Sequence, residues 1–194
     1  MQVKVKVQEL KEVKLIDGLS HQERDISGSS IIDLSEKINK ATALQKILLD
    51  YFVEKTNGSR LARREDLIPS EIIKLLPNIS LFDLFYGKNG EIIDMHFRLL
   101  GTALVKFYGE WTGKHLNQGP EEEKLVNVFP ATYHRVISLA EACVLNKAPV
   151  SIHSERVSED LPHLQLNSMF IPMSDDGKLI NILCGFTEIS TAKS

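Results

Sequence analysis

The sequence predicts an α+β fold: a five-stranded antiparallel sheet with helices packed on one face, led in by an N-terminal helical extension. Three observations carry this. The hydrophobic period is helical up to Pro77 and strand-like directly after it. Two strand-like runs, ISLFDLFY (79–86) and EIIDMHFRLL (91–100), flank Gly87-Lys88-Asn89-Gly90, whose Asn-Gly pair favours a tight hairpin. One long helical pattern and three further strand-like runs then complete the chain.

Taken in order, residues 1–15 alternate Val3, Val5 and Val7 with Lys4 and Lys6, as a strand does. The polar DGLSHQERDISGSS (17–30) reads as a connection. Asp33 and Glu36 have capping-box spacing, and Ile38, Ala41, Leu44, Leu48, Tyr51 and Phe52 recur at helical intervals. A helix over 33–55, stopped by Asn57-Gly58, follows from that pattern. A short helix over 70–76 is closed by Pro77. Beyond the hairpin, TALVKFYGEWTG is too broken by glycine for one long helix.

EEEKLVNVFPATYHRVISLAEACVLNK (121–147) is the long helix, with acids at its N-terminal end and Pro130 as a kink or a second start. Its apolar face carries Phe129, Tyr133, Val136, Ile137, Ala140 and Val144. APVSIHSERV (148–157), LQLNSMFIPMS (164–174) and KLINILCGFTEI (178–189) are the last strands, the final pair joined by Asp175-Asp176-Gly177. Helices inserted on one side leave the other sheet face open, and the helix over 33–55 is its expected cover. The expected organisation is an extension over 1–40, a domain over 41–188 and a tail over 189–194.

Composition narrows the function classes. A net charge of −3 gives no general attraction to nucleic acid or to an anionic membrane. Cys143 and Cys184 lack motif spacing, which argues for a reducing compartment and against a disulfide framework or a thiolate zinc site. No apolar run approaches the roughly 20 residues of a membrane span. The start MQVKVKVQEL lacks the apolar core of a signal peptide, so a cytoplasmic location is expected.

Gly109, Gly113 and Lys114 hint at a phosphate loop. That motif needs four residues between its glycines and a Ser or Thr after the lysine; here three intervene and His115 follows. The glycines read better as turns. Phe97, Leu99, Phe107, Tyr108 and Trp111 could line a ligand cavity or simply fill a core, as could Tyr133, Ile137 and Phe170 further on. Arg98 alternates with Phe97 and Leu99 and is expected to pair with an acid such as Glu71 or Asp83. Arg63 and Arg64 beside Glu65 and Asp66 read the same way. Gly101 is the expected corner after the second strand, with Thr102 capping the next turn. His153, Glu155 and His163 lack metal-ligand spacing, and no hydrolase, metalloprotease or dinucleotide motif occurs. Both cysteines sit in apolar company and are expected to be buried and inert.

Three pieces in order carry a family resemblance: ARREDLIPSEIIKLLPNISLFDL, FRLLGTALVKFYGEWTGKHL and FIPMSDDGKLINILCGF. Together they resemble a PAS domain, and more narrowly the bacterial PAS family common in alphaproteobacteria, whose members are often single-domain. The resemblance covers about residues 41–188. It implies a PAS-like sheet and helices enclosing a small-molecule pocket, and a sensory or protein-interaction role in bacterial signal transduction. It leaves the ligand and any cofactor undefined. Some PAS domains hold haem through a histidine on the long helix, but His134 lies at the edge of the apolar face, the place of an ordinary half-exposed histidine. The cysteine context of flavin-binding relatives is missing from EACVL and ILCGF. The expectation is a non-enzymatic sensor that binds a small molecule, a partner signalling protein, or both, as a homodimer. The alternatives are an interaction scaffold with a filled core and, less favoured by its apolar pocket side, a small-molecule enzyme.

Overall fold

In a computed structural model the chain is described over residues 30–33, 40–154 and 164–191, the first segment by its backbone alone. The elements in chain order are β1 (Ser30–Asp33), α1 (Ala43–Thr56), β2 (Ile79–Tyr86), β3 (Ile92–Leu100), α2 (Thr102–Tyr108), α3 (Leu125–Val128), α4 (Pro130–Asn146), β4 (Val150–Ser154), β5 (Leu164–Met173) and β6 (Ile182–Thr191). One antiparallel sheet has the order β1-β4-β5-β6-β2-β3. The five strands expected from the sequence are all in it, and the class is α+β. β1 adds a sixth strand at the edge, Ser30–Asp33 against Val150–His153. The Val3-Val5-Val7 alternation and the connection up to Ser29 lie outside the described residues.

Strand alternation in β5 and β6 sends large side chains to both faces. Met169, Ile171, Cys184 and Phe186 pack on one side with Leu48, Leu49 and Phe52 of α1. Phe170 and Leu183 pack on the other with Leu139, Ala140 and Cys143 of α4. Each such buried Leu, Ile, Met or Phe contributes roughly 1.5–3 kcal/mol. The face expected to need a cover therefore has one, in α1.

That helix begins later than its periodicity suggests. Asp33 is in β1, opposite Val150, and so is not the start of α1. The start is Thr42, whose Oγ1 accepts from the Gln45 N–H at 3.2 Å, while Gln45 Oε1 accepts from the Thr42 N–H at 3.0 Å. The stop is where the sequence places it: Asn57 is left-handed at φ 52°, and the Gly58 N–H bonds Val53 C=O at 3.1 Å.

The helix expected over 70–76 is replaced by separate 3₁₀ turns, Pro69–Glu71 and Leu76–Asn78. Each begins at or next to a proline, which fits the first turn of a helix but supplies no N–H to extend one. Pro130 acts by the same rule, standing at the first turn of α4 and dividing the long pattern from α3.

The β2–β3 ladder slips twice, between Phe85 and Tyr86 near the turn and between Leu81 and Phe82 at the far end. Leu81 pairs with Leu99, but Phe82 pairs with Phe97, which leaves Arg98 as the extra residue of a bulge. A bulge inverts the alternation beyond it, so Leu99 is 37% exposed, while Leu100 turns inward with Phe97. Arg98 pairs with Asp83 at 2.5 Å, one of the two acids expected for it. The other acid, Glu71, pairs with Lys55 at 2.6 Å.

β3 ends at Gly101, whose N–H bonds Ile79 C=O at 2.7 Å. Its φ of −67° is ordinary, so backbone freedom is not what selects glycine there. Space is: a Cβ would meet the carbonyl oxygens of Leu76 and Pro77 at 2.4 Å each. Thr102 makes no capping bond, because Gly101 itself occupies the cap position. Gly101→Ala is expected to lose about 2 kcal/mol or more in urea unfolding, as forced backbone displacement does. Thr102→Ala should stay within about 0.5 kcal/mol of the parent. An unchanged midpoint for Gly101→Ala would contradict the close approach.

Candidate functional site

The segment between β3 and α4 folds back along the hairpin. Gly109 and Gly113 have φ of 83° and 82°, a region that side chains other than glycine rarely adopt, and each reverses the chain. Between them Trp111 is turned inward and is 5% exposed, its Nε1–H donating to Tyr108 C=O at 3.1 Å. The return path runs beside β3 like a short strand: the Gly113 N–H bonds Phe97 C=O at 2.7 Å and the Leu116 N–H bonds Met95 C=O at 2.8 Å. Lys114 extends over the Trp111 ring, 5.3 Å from its centroid. The glycines serve this wrap, as turns.

Asp94 fixes the wrap in place, a role the sequence reading missed. It is 4% exposed, and one oxygen accepts from the backbone N–H groups of Met95 (2.8 Å) and Asn117 (3.1 Å). The other accepts from Gln118 Nε2 at 2.7 Å and meets His115 Nδ1 at 2.6 Å. A single carboxylate thus ties β3 to three residues of the returning segment. An isolated Asp in an alternating strand reads as solvent-facing, so only the loop's return gives it away.

Between this wrap, α4 and the sheet lies a cavity of ≈ 60 Å³. Among the residues singled out for a pocket, Phe97, Tyr108, Trp111 and Phe170 line it. The aromatics stand in chained contact, with Phe82 4.7 Å from Phe97 and 5.2 Å from Phe170, and Phe97 6.0 Å from Trp111 between ring centroids. Leu99 is carried to the outer side by the bulge. Phe107 stacks edge-on against Tyr108 without reaching the cavity. Tyr133 and Ile137 pack against the same core from a neighbouring stripe of α4, while Thr132, Arg135, Val136 and Leu139 are the α4 side chains that line the cavity.

The cavity's polar lining is concentrated at two places. On the sheet, Ser80, Ser168 and Thr187 from three adjacent strands form a floor, with Ser168 and Thr187 hydrogen-bonded at 2.9 Å. On α4, Arg135 is 5% exposed and donates to Thr132 Oγ1 at 3.1 Å. Burial pushes the Tyr108 phenol above its usual range, opposed by the Arg135 charge and by bonds with Thr132 and Arg135. Arg135 was passed over in the sequence because a basic residue on a helix reads as exposed. Its place between Thr132 and Leu139, at helical spacings of three and four, was the available signal.

Both cysteines are buried, and burial pushes the Cys184 thiol up to about 12. His134 is half-buried beside Tyr133, with ring centroids 5.5 Å apart, and does not line the cavity. His153 Nδ1 meets Asn167 Oδ1 at 2.8 Å; Glu155 and His163 lie outside the described residues. Among the described residues no group of three or more His, Cys, Asp or Glu is placed to hold a metal ion. No helix among them is long and apolar enough to cross a membrane.

No protein-family model matches the chain, and no curated protein matches it. Among solved structures, the crystal structure of a sensory box sensor histidine kinase from Vibrio cholerae is similar over 64% of this chain and 90% of that chain. The identity is 16% and the TM-score 0.33, too low for that likeness to bear on function.

Asp94→Ala is expected to destabilise the protein by about 2–3 kcal/mol, because donors on the wrap lose their acceptor. Trp111 should become more exposed at the same time, seen as a red shift of its emission. A parent-like urea midpoint with unshifted emission would show that the wrap does not depend on this carboxylate.

Proposed function

We propose that the chain is a non-enzymatic sensory module of the PAS kind, closest in its motifs to the single-domain family common in alphaproteobacteria. It binds a small molecule in the cavity and passes the bound state to a partner signalling protein in the bacterial cytoplasm. The module takes up residues 41–188, with 1–40 as its extension and 189–194 as its tail. The observation that carries this reading is the cavity of ≈ 60 Å³ walled by Phe82, Phe97, Trp111 and Phe170. A scaffold with a filled core would close that space, since unfilled volume costs stability. Its polar lining consists of hydroxyls and one guanidinium, with no carboxylate, imidazole, amine or thiol among the described residues to serve as a general base. That favours binding over catalysis.

Native mass spectrometry of the purified chain tests the reading. Retention of one small molecule per chain is the expected result. A bare chain mass, together with Trp111 emission unmoved by small apolar alcohols, would favour the filled scaffold.

The module also acts as a homodimer formed through its N-terminal region. Leu44, Ile47 and Val53 of α1 are 39%, 54% and 57% exposed, apolar surface on the helix that follows the extension. Isologous pairing is the commonest way to bury such a surface. Removing residues 1–29, which spares β1, is expected to convert the dimer to monomer by light scattering. A dimer that survives the truncation would contradict a role for the extension.

A further inference from the structure

We propose that the cavity is selective for a small carboxylic acid, its hydrocarbon part among the aromatic rings and its carboxylate at Arg135. This rests on the ligand-binding reading given above. The one full charge lining the cavity among the described residues is positive, and it sits on a side chain that is 5% exposed. A planar guanidinium matches a carboxylate with two parallel charge-assisted hydrogen bonds, the strongest common pairing for it. Its five N–H donors allow partners in the protein, Thr132 among them, and a ligand carboxylate to be held together.

The remaining lining sets size and excludes competitors. A cavity of ≈ 60 Å³ narrowed by aromatic rings suits a small ligand such as a short-chain acid. Inorganic phosphate fits the charge but leaves its other oxygens against Phe97, Trp111 and Phe170 without donors. Amines are repelled by Arg135 and meet no lining carboxylate among the described residues. The hydroxyls of Ser80, Ser168 and Thr187 add hydrogen bonds for a second oxygen, as in a hydroxy or keto acid.

Trp111 is the one tryptophan of the chain and lines the cavity, so its fluorescence reports occupancy. The full chain is titrated at pH 7 with butyrate, 1-butanol, butylamine and inorganic phosphate. Butyrate is expected to bind at least about tenfold more tightly than 1-butanol, the margin of a charge-assisted over a neutral hydrogen bond, with the other two weaker still. Arg135→Gln should abolish that margin and leave 1-butanol binding in place. If the variant does not fold, the butyrate-to-butanol ratio on the unaltered chain still decides. Butanol binding as tightly as butyrate, or phosphate binding more tightly, overturns the acid selectivity while the ligand pocket stands. If no probe moves Trp111, the pocket reading falls and the acid selectivity with it.

Discussion

The middle of the sheet is apolar on both faces, and most of the architecture answers that constraint. β5 and β6 alternate Met169, Phe170, Ile171 and Ile182, Leu183, Cys184 with no polar residue among them, so neither face tolerates water. One helix on each side is the smallest solution: α1 closes one face and α4 the other. This is why α1 belongs to the core of the domain even though it precedes the first hairpin. Its capping box at Thr42 and left-handed stop at Asn57 confine it to the span that covers the sheet.

The two faces are packed differently, and the difference bears on function. Against α1 the aliphatic and sulfur-bearing side chains form a continuous core. Against α4 the packing leaves a cavity, which the chain between β3 and α4 walls with Leu104, Tyr108 and Trp111. Gly101 lets it leave the hairpin tight against the Leu76 and Pro77 carbonyls, and Asp94 holds its return beside β3. Rigid aromatic rings then meet around a gap that none of them can collapse into. The cavity therefore follows from the wrap and does not reflect poor packing.

Much of the fold was legible in the sequence. Period and turn chemistry located β2 and β3 within a residue, the hairpin and the stop of the first helix, and offered Asp83 as one of two acids for Arg98. The failures have particular causes. Asp33-x-x-Glu36 and Thr42-x-x-Gln45 are equally good capping signals locally, and only the pairing of β1 with β4 decides between them. Leu99 and Leu100 exchange faces through a one-residue bulge that leaves no mark on hydrophobic alternation. Phe97, Tyr108, Trp111 and Phe170 could be named as possible pocket residues because large aromatics gather wherever a core is thick. Arg135 and Asp94 could not, since charged residues become buried only through tertiary contacts that the sequence does not display.

The central claim is that the α4 side of the sheet encloses fillable space. Diffraction from crystals of the protein under xenon pressure addresses this directly, because xenon enters apolar cavities that water leaves empty. A xenon site between Phe97, Trp111, Leu139 and Phe170, or a bound molecule already occupying that position, is the expected result. Side-chain density that closes the space, with no site there at any pressure, would contradict it.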